Sequence, residues 1–319
     1  MFREFKPFFI IAESPLHPGS GSELGIVDLP VQRERHTNYP KIEGSGLKGS
    51  IREAFENLKE TNLNSHKIKD KELKNAVNLA FGPEDGEKYA GSLAFTDAKI
   101  LLFPVKSLKG TFAWITCPYV LERFLKDMRI RGVDLKDIAS DLHSLENSIP
   151  EGSNITVLSK IVLEEFSFEV KEKSKASKVA KWFAKKIFPQ GNSNDPYKYW
   201  REKMAKDLVI LLDDDFKEFI STSTEVIART KIASDTGTVT SGGLWYEEYL
   251  SQDTILYSLA MTSPIRMKDD AQKGVFKANN PQKEAEKVMD FFEAGLPEVL
   301  QIGGNQTIGK GIVRIQILK

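Results

Sequence analysis

A single cysteine, Cys117, stands among 319 residues. The chain can therefore form no intrachain disulfide and no cysteine-built zinc site, and it suits a reducing compartment. Histidine is scarce as well: His17, His36, His66 and His143 are scattered, and none belongs to an HExxH pattern. Any metal would be held mainly through oxygen, the chemistry of magnesium or manganese. Net charge is missing too, since 45 Lys and Arg balance 45 Asp and Glu, which excludes a chain that binds nucleic acid by total charge alone. There is no long apolar run. The first one, PFFIIA, has six residues between Glu4 and Glu13, too short and too acidic for a signal peptide or a membrane span. A cytoplasmic protein with no membrane partner is expected.

What is present suffices for a sizeable core, in one elaborated domain or two ordinary ones. FKPFFIIAE predicts a buried strand, and the prolines and glycines of SPLHPGSGSELG predict a loop that runs on to Pro40. GSGLKGSIREAFENLKE sets Leu47, Ile51, Ala54, Phe55 and Leu58 on one helical stripe behind a run of small residues. The polar TNLNSHKIKDKELKN leads to a turn at FGPEDGEKYAG. SLAFTDAKILLFPV is strand-rich, and GTFAWITCPYVLERFLKDM passes from strand through Pro118 into helix. IVLEEFSFEV alternates like a strand, whereas KASKVAKWFAKKIF and YKYWREKMAKDLVILL read as helices, the latter ending in strand-like residues. The acidic triplet Asp213, Asp214 and Asp215 precedes FKEFI and reads as the first turn of a helix rather than as a metal site. Residues 225–262 alternate around a Gly- and Thr-rich middle, the pattern of a long hairpin. A helix, a glycine loop and a last strand close the chain, which as a whole predicts an α+β sheet core with long insertions.

Two glycine motifs mislead. Gly44, Gly46 and Gly49 spell GxGxxG, but no buried strand precedes them and no acid-tipped strand follows, so a dinucleotide site is not indicated. What remains is a helix N-terminus of small residues including Ser45, with Lys48 and Arg52 one turn apart, a seat for a phosphate backbone. GNQTIGK nearly spells a P-loop, yet Gly311 replaces the Ser or Thr that would touch magnesium, and a strand follows where a helix is needed. Gly303, Gly304 and Lys310 then belong either to a plain turn or to a loop that closely approaches a long anion. Local charge favours the anion. Residues 33–52 carry Arg33, Arg35, Lys41, Lys48 and Arg52 against Glu34 and Glu43, and 302–319 carry three basic residues and no acid. Two basic glycine-rich loops make a groove for a phosphodiester chain. Beside them GIVDLPVQRERH places a carboxylate, Asp28, next to cations. A turn or capping aspartate is the bland explanation.

Three blocks, SPLHPGSGSELGIVDLPVQRERHTNYPKIEGSGLKGSIRE, TDAKILLFPVKSLKGTFAWITCPYVLERF and IGGNQTIGKGIV, resemble the RAMP superfamily of CRISPR proteins. Together with TGTVTSGGLWYEEYL they span nearly the whole chain, and within the superfamily they resemble the backbone subunit of the type III-B (Cmr) effector complex. The resemblance implies one RRM-like (ferredoxin-like) domain over 1–319 with three insertions: a 13–44 loop over the RNA, a mainly helical lid at 118–206 and a β-hairpin thumb at 225–262. It implies copies stacked in a filament along a CRISPR guide RNA, beside other subunits of the complex, that cut complementary target RNA at regular intervals.

In that family the aspartate of the DLPVQRE loop is the cleavage residue, which falls on Asp28. His17 matches the LHPGSG histidine, and Glu247 and Tyr249 match the glutamate and tyrosine after the thumb, with Glu248 as the alternative glutamate. Arg33, Arg35, Ser45, Lys48, Arg52, Gly303, Gly304 and Lys310 are the expected RNA contacts. Asp28 would act as general base toward the 2'-hydroxyl, or would hold a weakly bound Mg2+ or Mn2+. The rival from another class is a non-catalytic RNA-binding scaffold, and a guide-processing endonuclease of the same superfamily is a further one.

Overall fold

In the computed structural model of the chain, residues 1–22, 25–63, 66–86, 89–130, 135, 138, 141–191 and 195–318 are described. The run FFIIA lies on Glu4–Ala12, an interior strand of the main sheet, and is buried on both faces. A strand covered on both sides has no polar face to show, which is why the alternation of an amphipathic strand is absent from it. It pairs antiparallel with Ile255–Thr262 on one side (Phe8 opposite Ser258) and with Ile312–Ile317 on the other (Ile10 opposite Ile315). Ala98–Lys106 lies beyond Ile255–Thr262, followed by Phe112–Thr116 and, parallel to it, Leu208–Ile210. Val299–Gln301 pairs with the last strand at the other edge.

Phe8 and Phe9 point to opposite faces and seed two cores. On one face the helices Gly44–Glu56 and Pro281–Gly295 bring Phe55 and Phe292 together, and Phe95 and Phe8 pack against Phe292 with ring centroids 5.5 and 6.1 Å away. On the other, Pro118–Arg129 and Ser174–Ile187 bring Phe124 and Phe183 under Phe9 and Tyr257. Truncating one such buried ring to alanine costs about 3–5 kcal/mol.

Most expected elements are found, with four differences. The polar stretch after residue 60 is a small hairpin, Glu60–Leu63 with His66–Lys69, and a helix, Asp70–Phe81. Its buried stripe of Leu73, Ala76, Val77 and Ala80 is half alanine, so little hydrophobic contrast marks it in the sequence. IVLEEFSFEV is a tight hairpin, Lys160–Leu163 with Phe166–Glu169, turned at Glu164 in a left-handed conformation. The long hairpin occupies Glu225–Ile232 and Val239–Tyr249 only, because Ile255–Thr262 enters the main sheet. Finally, the glycine loop joins two antiparallel strands, Val299–Gln301 and Ile312–Ile317. The helix Asp213–Thr222 starts at the acidic triplet, and Asp213 accepts the Tyr119 N–H at 2.9 Å. No helix among the described residues is long and apolar enough to cross a membrane.

Candidate functional site

The loop between strand Glu4–Ala12 and helix Gly44–Glu56 is laid across the base of the Glu225–Tyr249 hairpin. Leu16 bridges Leu250, Leu29 bridges Glu247 and Gly19 bridges Val31. Leu29 donates its N–H to the Tyr246 carbonyl at 3.0 Å, and Glu248 donates back to the Leu29 carbonyl at 3.0 Å. These bonds hold Asp28 beside the hairpin strand. One of its carboxylate oxygens accepts the Tyr246 N–H at 2.7 Å, and the other has no partner among the described residues. The group is half-buried, with exposed Ile26 two residues before it. Asp28 therefore does serve as a capping aspartate, and it still offers a free oxygen.

Alternation along the hairpin strand separates the two candidate glutamates. Glu247 shares a face with Trp245 and Tyr249. It receives Trp245 Nε1 at 2.8 Å, Arg229 Nε at 3.2 Å, Asn305 Nδ2 at 2.9 Å and the Tyr249 hydroxyl. Burial pushes its pKa up, but the hydrogen bonds from Tyr249, Trp245 and Arg229 outweigh this and hold it below the ordinary carboxylate value. The Tyr249 hydroxyl is pushed above its usual value by burial and by the bond to Glu247. Glu248 faces the other way, where it takes Arg33 at 2.6 Å, Thr224 at 2.8 Å and the Val31 N–H at 2.9 Å. Glu247 thus organises the hairpin's inner face, and Glu248 pins the loop.

His17 is 8% exposed and stacks obliquely on Tyr249, with centroids 5.4 Å apart. Its Nδ1 lies 2.7 Å from the Glu248 carbonyl, and since a carbonyl only accepts, Nδ1 carries the proton in that bond. Nε2 faces Gly19, where an added Cβ would come within 2.7 Å of it. Gly303, with φ 81, lies against the His17 carbonyl so closely that no side chain fits. Between these groups opens a cleft of about 520 Å³, lined by His17, Gly19, Gly46, Ser50, Gly303 and Gly304 among others. Small residues leave backbone amides reachable there, as a phosphodiester needs.

The expected cations divide into two groups. Arg33 is committed inside the protein to Glu248 and to the carbonyls of Asn38 and Ile220. Arg52 bonds Glu56 and the Gly82 carbonyl. Arg35 is exposed, and no acid pairs with it among the described residues. Lys48 is pushed to a lower pKa first by burial and then by the neighbouring charges of Arg52 and Arg266. Lys310 sits over the Tyr249 ring, 5.0 Å from its centroid.

Helix Gly44–Glu56 corrects the expected free N-terminus, because Asp97 already accepts the Gly44 N–H at 2.8 Å and pairs with Lys41. Burial raises the Asp97 pKa, but Lys41 and the Gly44 N–H hold it below the ordinary value. Ser45, exposed in the first turn, is left beside the open amides.

No cluster of three or more His, Cys, Asp or Glu able to hold a metal occurs among the described residues. Around Asp28 the two glutamates have both oxygens engaged. Four residues of the site were not among the expected ones: Asn305, Arg229 and Trp245 around Glu247, and Asp97 at the helix. Asn305, Trp245 and Asp97 lie within the blocks that carry the family resemblance, and Arg229 lies outside them.

The RAMP superfamily model matches residues 9–314. The chain belongs to the RAMP superfamily. This RAMP chain is 38% identical over 306 residues to the CRISPR system Cmr endoribonuclease Cmr4 of Pyrococcus furiosus, covering 95% of its own length and 92% of that protein. Its structure is similar to the crystal structure of oligomeric Cmr4 from the same organism, with TM-score 0.68, 30% identity and 98% of each chain covered. It shares the fold of a chain in a type III-B Cmr-beta complex bound to cognate target RNA, with TM-score 0.67, 22% identity and coverage of 99% and 98%.

Proposed function

We propose that this RAMP chain is the guide-RNA-binding backbone subunit of a type III-B CRISPR effector complex, and the endoribonuclease that cuts guide-paired target RNA at regular intervals. The observation that carries the reading is Asp28: a carboxylate fixed by one oxygen and free at the other, next in the chain to Leu29, which lines the glycine-rich cleft. A cleft built only to hold phosphates gains nothing from a negative group, whereas a proton acceptor is what a 2'-hydroxyl nucleophile requires. The Cmr4 relative, which the chain matches over nearly its whole length, is itself named an endoribonuclease.

The four strands Ile312–Ile317, Glu4–Ala12, Ile255–Thr262 and Ala98–Lys106 lie side by side, all antiparallel. Helices Gly44–Glu56 and Pro281–Gly295 come between strands in the chain order βαββαβ, which supports an RRM-like palm. The 13–44 loop, the 118–206 lid and the thumb within 225–262 are insertions on that palm. Lys48, Arg35, Ser45, Lys310 and the Gly303–Gly304 backbone follow the guide strand, while Arg33 and Arg52, both bonded within the protein, act indirectly by fixing the loop and the helix. Copies stack along the guide, in company with other Cmr subunits.

In the mechanism the thumb unstacks one target nucleotide, so that its 2'-hydroxyl can swing in line with the leaving oxygen. Asp28, its position kept by the Tyr246 N–H, takes the hydroxyl proton at its free oxygen as the 2'-oxygen bonds to phosphorus, the bond to the 5'-oxygen breaks and the leaving oxygen takes a proton from solvent water. His17, protonated at Nδ1 toward Glu248, offers Nε2 to the RNA in the cleft. One carboxylate together with the RNA's own phosphate oxygens fits a weakly held Mg2+ or Mn2+, which would neutralise developing charge.

The test is the chemistry of the cut ends. Attack by the 2'-hydroxyl leaves a 2',3'-cyclic phosphate and a 5'-hydroxyl, and recovery of 5'-phosphate on the downstream fragment would contradict it. The second reading, a non-catalytic scaffold, is favoured by the Tyr246–Asp28 bond, because that bond alone gives the carboxylate a structural use.

A further inference from the structure

The nuclease reading assigns Glu247 and Tyr249 to the site, but their geometry keeps them from touching RNA. Tyr249 is 0% exposed and Glu247 is 5% exposed. The Tyr249 hydroxyl donates to Glu247 and accepts from Arg229 at 3.0 Å and from Asn305 at 2.7 Å. One donor and two acceptor positions are all that a hydroxyl has. Glu247, with donors on both oxygens, is equally full. Neither group can reach a phosphate or a sugar without dismantling the cluster, so both act through the strand that carries them.

Asn305 stands where that strand meets the glycine loop. Its backbone is left-handed, with φ 66 and ψ 29, a conformation that glycine, asparagine and aspartate adopt most readily. Of the three, only asparagine brings N–H donors on its side chain. Both amide hydrogens are used, toward Glu247 and toward Tyr249. Because a carboxylate only accepts, the orientation of the amide is settled by Glu247. The loop around it is tied to the cleft on two further sides: Gly304 donates to the His17 carbonyl at 3.0 Å, and the Lys310 ammonium covers the Tyr249 ring.

We infer that Asn305 is a positioning residue for target cleavage: its amide locks the RNA-receiving glycine loop to Glu247 and Tyr249, and thereby fixes the strand whose Tyr246 N–H holds Asp28. The inference rests on the nuclease reading and deepens it, since it says how occupancy of the loop is felt at the scissile position. The path runs from Asn305 to Glu247 and Tyr249, along the hairpin strand to Tyr246, and across one hydrogen bond to Asp28. Each link is a contact given above.

The experiment is single-turnover cleavage of target RNA by the guide-loaded complex, with target affinity measured in parallel. Asn305→Gly keeps the left-handed backbone and removes only the amide. Asn305→Asp also tolerates that backbone, and it turns an acceptor toward Glu247. The expected result is a rate at saturating target about tenfold lower for Asn305→Gly and lower still for Asn305→Asp, with unchanged target affinity. Combined with Tyr249→Phe, the Asn305→Gly loss should fall well short of the product of the two single effects, the mark of residues acting as one unit.

A wild-type rate in Asn305→Gly overturns the inference and leaves the nuclease reading standing. A loss confined to target affinity overturns it too, because Asn305 would then be an RNA ligand. Failure of both variants to assemble replaces positioning by a folding role. Absence of cleavage by the wild-type complex removes the nuclease reading and this inference with it.

Discussion

Glu247→Gln keeps the shape of the side chain and removes its charge, so it measures what the carboxylate contributes to the hairpin base. The amide can turn its oxygen toward only one set of donors. If the oxygen faces Arg229, Asn305 and Tyr249, the new NH2 confronts Trp245 Nε1, which gave its hydrogen at 2.8 Å. One N–H is then left without an acceptor, which costs about 1–2 kcal/mol when buried, and the Arg229 bond loses its charge assistance, about 1 kcal/mol more. The opposite orientation strands three donors and is worse. We therefore expect a loss of about 2–3 kcal/mol in unfolding free energy, or about 3–4 °C in Tm for a chain of this size. Denaturant unfolding of the isolated protein at neutral pH is the assay. A change below about 0.5 kcal/mol, the scale of an ordinary surface substitution, would refute the reasoning.

Other predictions separate structural from RNA-facing charge. Lys48→Ala should lower the salt dependence of guide binding by roughly one phosphate contact, a slope change of about 0.7 for single-stranded RNA. Arg33→Met should leave that slope unchanged and destabilise the fold by about 3 kcal/mol, because it strands buried Glu248; guide titrations over a salt series and unfolding curves distinguish the two. Asp253, with φ 69, has its pKa raised to about 6, first by burial and then by Glu13. A raised acid adds stability below its unfolded value near 3.8 and loses it as pH rises through about 6. Asp253→Asn, which tolerates the same backbone, should therefore raise stability at pH 7–8 by on the order of 2 kcal/mol and make no difference below about pH 4 in thermal melts. Removing divalent ions with EDTA should slow cleavage while guide and target stay bound, and an unchanged rate would contradict a role for magnesium or manganese.

Features written in neighbouring residues were legible in the sequence, and features written across the fold were not. The stripe Leu47, Ile51 and Phe55 announces its helix, and the acids at 213–215 announce another, because both signals fit within a few turns. The helix Asp70–Phe81 hid behind alanines. The hairpin's far end was misplaced because Ile255–Thr262, apolar almost throughout and buried on both faces, follows the hairpin arms directly in the chain, and its pairing with Glu4–Ala12 shows where it belongs. Arg33 looked free for RNA because its acid, Glu248, lies 215 residues away. Asp28 likewise showed no partner, its Tyr246 N–H being 218 residues distant. Family motifs led to the hairpin-base glutamate, but its position could be drawn at Glu247 or Glu248. Strand alternation separates them by assigning each a face.

The central claim is that Asp28 is the group that cuts, and Asp28→Asn in the guide-loaded complex tests it most directly. Asparagine can still accept the Tyr246 N–H through its oxygen, so the loop should stay seated, while the proton acceptor is gone. The account predicts unchanged target binding and a cleavage rate lower by about 10²–10⁴-fold, the contribution of a general base. Cleavage at the wild-type rate would contradict it, leaving Asp28 as the cap of Tyr246 and the chain as a scaffold for RNA.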